Sequence, residues 1–230
     1  MITAENISKS YVTGTVKTTV FNGLSFEIKD GEFVAITGPS GAGKTTLLNT
    51  IGLLEQYQAG KLYINNQDVS LLADSALSAL RNKHIGFVFQ NFNLLPELSI
   101  LDNVMLPLEI AGVNKALAKE KALARLEQMG LKGRANHKPN QLSGGQQQRT
   151  AIARALVSDP QLILADEPTG NLNSAMAQEI MTILQQINEG GTTIVMVTHD
   201  DTLSQMSGRS IELIDGQIKS STERRVASCA

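Results

Sequence analysis

The stretch EFVAITGPSGAGKTT, residues 32 to 46, decides how the rest of the chain is read. Its first half is a short apolar run ending in glycine, the pattern of a strand buried on both faces of a parallel sheet. Its second half, Gly38 to Thr46, fits G-x-x-x-x-G-K-[ST] directly after that strand and directly before a helix-like segment, the context the pattern requires. In the loop Gly38, Pro39, Ser40, Gly41, Ala42, Gly43, the glycines let successive backbone N–H groups curl around an anion. The following helix start adds its positive dipole end, Lys44 supplies a point charge, and Thr45 and Thr46 bring hydroxyls, that of Thr45 suited to Mg²⁺.

Working outward, similar apolar runs recur as HIGFVFQ (84 to 90), QLILADE (161 to 167) and TTIVMVTH (192 to 199). Helix-like segments lie at Thr45 to Leu54, Ala175 to Asn188 and just after Asp200, so the chain reads as α/β with a largely parallel sheet. The N-terminal stretch differs. LSFEIKDGEF alternates around an Asp30-Gly31 turn and LYINNQDV looks like a further strand, which predicts an antiparallel β subdomain. Residues 91 to 159 break the alternation: SILDNVMLPLEIAGV and KALAKEKALARLEQMGL both favour helix, with Gly130 as a C-cap. One domain is expected, with residues 1–90 and 160–219 as core and β subdomain, 91–159 as an inserted helical subdomain, and 220–230 as a polar tail; the stretch after Gly216 starts as an edge strand.

Composition narrows the function. The chain has 230 residues, enough for a full core, and no apolar run approaches the roughly 20 residues a membrane span needs. A net charge of −2 with both signs scattered gives no electrostatic footprint for nucleic acid. The N-terminus shows no secretory signal and the only cysteine is Cys229 in the tail, so a reducing cytoplasm is expected.

Two further motifs carry chemistry. LILADE (162 to 167) is a buried strand ending in two carboxylates, where α/β proteins bind ligands. Asp166 is placed to serve Mg²⁺ and Glu167 to polarise an attacking water as general base. LSGGQQQR (142 to 149) sets a serine and two glycines at a helix start, although glycine disfavours helix interiors. With Ser143 at the N-cap and Gln146 following, Gly144 and Gly145 then offer N–H groups to a second anion at a positive helix end, and all four residues are expected at that site. One subunit leaves the γ-phosphate an open face, and a second copy related by a twofold axis would close it, making two composite sites.

With these motifs in this order, the sequence resembles the ATPase subunits of ABC transporters from about Ile2 to Ile218. The octapeptide is the specific match; the phosphate loop alone would admit other P-loop NTPases. The resemblance implies a RecA-like P-loop fold, ATP and Mg²⁺ as ligands, and a dimer of identical or paralogous copies. It also implies a transmembrane permease docking at the helical subdomain beside Gln90, on the cytoplasmic face of a bacterial inner membrane. By resemblance, Tyr11 of SKSY stacks on adenine, Gln90 reaches Mg²⁺ and the attacking water, and His199 of VTHD contacts the γ-phosphate. One position departs from the pattern: the loop that usually reads GNLD is GNLN here, with Asn173 in place of aspartate, which puts the hydrolysis rate in doubt and leaves nucleotide binding untouched.

FVFQNFNLLPELSILDNVMLPL and ADEPTGNLN look most like the small ATPases that pair with MacB-type permeases, including the lipoprotein-release and FtsE-like groups. Two classes stay open: a motor that exports or extracts lipoprotein, peptide, antibiotic or haem, and a non-transport regulator of cell-wall hydrolysis. A soluble ATPase of this family acting on nucleic acid usually carries tandem cores, coiled-coil arms or zinc modules, and none is evident. A monomeric P-loop kinase would have no use for LSGGQ.

Overall fold

The computed structural model describes residues 1–223. Cys229 and the tail beyond Glu223 lie outside the described residues. Along the chain run strands β1 (Ile2–Thr13), β2 (Val16–Ile28) and β3 (Phe33–Thr37), helix α1 (Lys44–Ile51), and strands β4 (Ala59–Ile64) and β5 (Gln67–Asp68). Then come α2 (Asp74–His84), β6 (Ile85–Phe89), α3 (Ile100–Ile110), α4 (Lys115–Gln128), α5 (Gly144–Leu156) and β7 (Leu162–Asp166). The described part closes with α6 (Ser174–Glu189), β8 (Thr193–Val197), α7 (Asp201–Ser204), β9 (Arg209–Ile214) and β10 (Gln217–Glu223). Two compact units divide the chain: Met1–Ser78 with the residues from Gln185 onward, and Ala79–Leu184.

The first unit holds two sheets. One is antiparallel in the order β2-β1-β4-β5, with Ile2 facing Ile28 on one side and Ile64 on the other, all three buried. The expected antiparallel subdomain is therefore present, but β2 pairs with β1 and not across the Asp30-Gly31 turn. LYINNQDV is also a hairpin and not one strand, because Asn65 (φ 51°) and Asn66 (φ 62°) adopt the left-handed pair a tight two-residue turn needs. The other sheet orders β10-β9-β3-β8, with β3 parallel to β8 and β9 and the edge strand β10 antiparallel. Every residue of β8 and the first four of β3 are buried, which explains their continuous apolar reading. Helix α1 ends at Ile51, short of the expected Leu54, since Leu53 turns left-handed at φ 58°.

In the second unit β6 and β7 pair in parallel, Phe89 opposite Asp166. Helices α3, α4 and α5 pack on one another, and α5 crosses β6 so closely that a Cβ at Gly86 would lie 2.4 Å from the Ala155 carbonyl oxygen. Ser99 caps α3 by accepting from the Asp102 N–H at 3.1 Å, Asn114 caps α4 through Ala116 at 2.9 Å, and Gly130 at φ 68° follows its end. Helix α2 was not anticipated: none of its residues is buried, so DSALSALRNKH shows no core-facing stripe.

Candidate functional site

In the first unit the phosphate loop grows out of β3. Gly38 (φ 139°), Gly41 (φ 81°) and Gly43 (φ 94°) all take backbone conformations that other residues rarely adopt. Two are also hemmed in: a Cβ at Gly38 would lie 2.0 Å from the Leu213 carbonyl oxygen, and one at Gly43 2.7 Å from Val20 Cγ1. Pro39 and Ser40 are exposed, while Ala42 is buried beneath the loop. Gly43 occupies the N-cap of α1 and makes no side-chain cap, so Thr45 and Thr46 stand in the first turn at the positive helix end without a capping oxygen from Gly43. Lys44 is buried and folds back, its Nζ donating to the carbonyl oxygens of Gly38 and Pro39 at 2.9 Å each. The Thr45 side chain is exposed at the helix start.

His199 follows β8, which lies parallel to β3, so it stands at the same strand-end edge as the loop. Thr198 ties the two together by donating its N–H to Ile36 O at 3.2 Å. Its hydroxyl accepts from the Asp200 N–H at 3.0 Å, and Asp200 in turn caps α7 through Thr202 and Leu203. The turn around the exposed histidine is thus fixed on both sides.

Tyr11 is 42% exposed near the end of β1. Its hydroxyl donates to Glu55 Oε2, and Lys9 Nζ lies 4.9 Å from its ring centroid as a cation–π partner. Lys9 also pairs with Glu55 at 3.3 Å, and Asn49 of α1 donates to the other Glu55 oxygen at 3.1 Å. The hydrogen bond to Glu55, aided by burial, holds the Tyr11 phenol above its ordinary value. Burial pushes the Glu55 carboxyl upward, but the bonds from Tyr11, Asn49 and Lys9 outweigh it and keep it below the usual range. Sequence reasoning singled out Tyr11 and missed this support, because Asn49 and Glu55 lie far along the chain from Lys9 and Tyr11.

In the second unit the register of β6 and β7 sets Gln90 and Glu167 at one strand-end edge, just past Phe89 and Asp166. Glu167 is left-handed at φ 46°, a backbone cost on the order of 1–3 kcal/mol for a non-glycine residue, of the kind that clusters at functional sites. Asn171 binds the loop after β6: its Nδ2 donates to Gln90 O at 3.0 Å and to Asn91 Oδ1 at 2.8 Å. A Cβ at Gly170 would come within 2.8 Å of Gln90 Nε2, so a side chain there would displace the glutamine.

The octapeptide opens α5 with a full capping box: Ser143 N donates to Gln146 Oε1 at 3.0 Å, and Gln146 N to Ser143 Oγ at 3.4 Å. The serine expected at the N-cap is there. Its glycines have a packing reason that the sequence did not disclose. A Cβ at Gly144 would lie 3.4 Å from Leu172 Cδ2, and one at buried Gly145 3.3 Å from Met176 Sδ. Asn173, singled out for lacking the usual charge, is exposed and caps α6 by accepting from the Met176 N–H at 2.9 Å. Arg154, near the end of α5, was not anticipated; its guanidinium donates to Phe92 O at 2.7 Å and to Asn93 O.

Tyr11, the phosphate loop and His199 thus belong to the first unit, and Gln90, Asp166, Glu167, Asn173 and the octapeptide to the second. Each unit gathers its share at strand ends and helix starts.

Comparison with known proteins identifies relatives along nearly the whole chain. A family model described as ABC transporter matches residues 21–170. The chain is 49% identical over 219 residues to the lipoprotein-releasing system ATP-binding protein LolD of Bacteroides fragilis, covering 95% of this chain and 100% of that one. It is 47% identical over 222 residues to the macrolide export ATP-binding/permease protein MacB of Syntrophobacter fumaroxidans, covering 95% of this chain but 31% of that protein. The chain therefore spans about a third of the length of that relative. A dimeric structure of the ATP-binding cassette MJ0796, in a post-hydrolysis state with ADP and Pi, is similar at a TM-score of 0.90 and 44% identity, covering 98% and 99% of the two chains.

Proposed function

The chain belongs to the ABC transporter family, and from that premise we propose that it is the ATP-hydrolysing subunit of a MacB- or LolD-type transporter, driving a permease that these residues do not include. No helix among the described residues is long and apolar enough to cross a membrane, so the stroke must be passed to another polypeptide or segment. One observation supports the reading: the glycine-wrapped helix start after β3, where Gly43 makes no side-chain cap, is matched by a second glycine-bearing helix start at Ser143–Gly145, the pairing expected of two anion-facing surfaces.

The phosphate loop from Gly38 to Thr46 wraps the nucleotide phosphates, and Lys44 leaves its two carbonyl acceptors for phosphate oxygens. Tyr11 offers the ring face away from Lys9 to the adenine. The oxygen donors that would hold Mg²⁺ are the Thr45 hydroxyl of the first unit and the Asp166 carboxylate and Gln90 amide oxygen of the second. Few protein oxygens suit Mg²⁺, which keeps phosphate and water ligands. When bound, Mg²⁺ neutralises phosphate charge.

Glu167 orients the attacking water and takes its proton, while His199 donates toward the γ-phosphate. Ser143, Gly144, Gly145 and Gln146 of a second copy close over that phosphate, and Asn173 lies beside the joint. Loss of the γ-phosphate removes what held the copies together, so the pair opens, and that opening is the stroke. The protein works at the cytoplasmic face of the inner membrane, its helical subdomain receives the permease, and the cargo is lipoprotein, peptide, antibiotic or haem.

The reading is tested by capturing tagged Glu167→Gln protein with ATP from detergent-solubilised membranes of its host and identifying what accompanies it. A permease with few membrane helices and a large outer domain supports the proposal. Recovery of soluble or ribosomal proteins alone overturns it, and recovery of cell-wall hydrolase regulators moves it to the FtsE-like role.

A further inference from the structure

We propose that Arg154 is a positioning residue for hydrolysis, pinning the two residues after Asn91 to the signature helix so that Gln90 and α5 move as one body. The inference rests on the role given to Gln90 above. Phe92 (φ 60°) and Asn93 (φ 48°) are consecutive non-glycine residues in the left-handed conformation, which is uncommon and costly for a bulky residue such as Phe92. The same hand at both residues turns their carbonyls to one side, where the planar guanidinium fork of Arg154 meets them. A basic residue in the last turn of a helix commonly serves the helix dipole. Arg154 instead reaches across to another loop, and burial lowers its affinity for a proton, so the two carbonyls offset a cation drawn out of water.

Helix α5 begins near Phe92 and is bonded to the loop from its last turn. At its first residue, Gly144, a Cβ would lie 3.8 Å from Phe92 Cζ, and Arg154 is in its last turn. On the other side of Phe92, Asn171 holds Gln90 O and Asn91 Oδ1. The segment from Gln90 to Asn93 is therefore gripped from the loop before α6 and from α5. A displacement of the octapeptide helix shifts the glutamine, and a push on the loop shifts the helix. Nothing in the phosphate loop takes part, so substrate affinity and turnover should separate on loss of Arg154.

Amide hydrogen exchange over residues 91–95 and steady-state ATP hydrolysis should be compared for the full-length wild type, Arg154→Lys, Arg154→Met and, as an exposed-cation control, Lys132→Met. Arg154→Met is expected to speed exchange in that segment about tenfold or more and lower kcat about tenfold, with KM for ATP within about twofold of wild type. Arg154→Lys should recover part of both effects, and Lys132→Met should resemble wild type. Unchanged exchange at 91–95 overturns the proposal. So does acceleration spread evenly over β6, β7 and α5, or failure of both Arg154 variants to fold, since either assigns Arg154 to the fold alone. A wild type that does not hydrolyse ATP would defeat the proposed function, while the exchange data would still judge the clamp.

Discussion

Gly43→Ala tests how the phosphate loop is held in shape, and two separable costs are expected. The first is backbone: alanine at φ 94° costs roughly 1–2 kcal/mol, as for other L-residues forced left-handed. The second is steric. The new Cβ would lie 2.7 Å from Val20 Cγ1, and valine is stiff at χ1, so relief requires a backbone shift of the kind that costs about 1–3 kcal/mol in a packed site. Together they amount to about 2–5 kcal/mol, or a fall in Tm of about 4–20 °C for a chain of this size. Val20→Ala removes the steric part and leaves the backbone part. Urea denaturation of the wild type, both single variants and the double variant gives the coupling directly. The double variant should be more stable than the sum of the singles predicts by about 1–3 kcal/mol. Strict additivity would refute the claim that β2 shapes the loop.

Three other outcomes follow from the geometry. Gly170→Ala should lower ATP hydrolysis while changing stability by less than about 1 kcal/mol, because its Cβ meets the flexible end of Gln90; equal activity would sink the placement of that side chain. Asn173→Asp keeps the cap on α6 and adds about 0.3–1 kcal/mol from the helix dipole, so any larger rise in turnover must come from charge at the joint; an unchanged rate and unchanged dimerisation would make the substitution neutral. Glu55, held below its ordinary value when folded, contributes stability that is present above the unfolded carboxylate range and is lost as pH falls through the lower folded value. Urea midpoints measured toward acid pH should therefore decline less in Glu55→Gln than in wild type, and parallel curves would contradict the network around Tyr11.

The strands of the parallel sheet were legible because burial on both faces leaves an apolar run with no alternation, as in FVAI and TIVMV. The phosphate loop was legible because its glycines are fixed by φ, a local property. Helix α2 was not, since a helix that buries none of its residues leaves no stripe in the sequence. The Asn65-Asn66 turn carried a signal in its two asparagines, each tolerant of left-handed backbone, that the reading passed over. Arg154 and Asn171 could not be found from spacing, because what they bind is main chain some 60 and 80 residues away. The packing of Gly145 against Met176 was hidden in the same way, while its role at a helix start was visible.

The most direct test of the central claim is the mass of Glu167→Gln protein in solution, measured by light scattering with ATP, with ADP and without nucleotide. The account expects doubling with ATP alone, and loss of that doubling when Lys44→Ala is added. A mass that stays at one chain under ATP, with nucleotide binding demonstrated on the same sample, would contradict it.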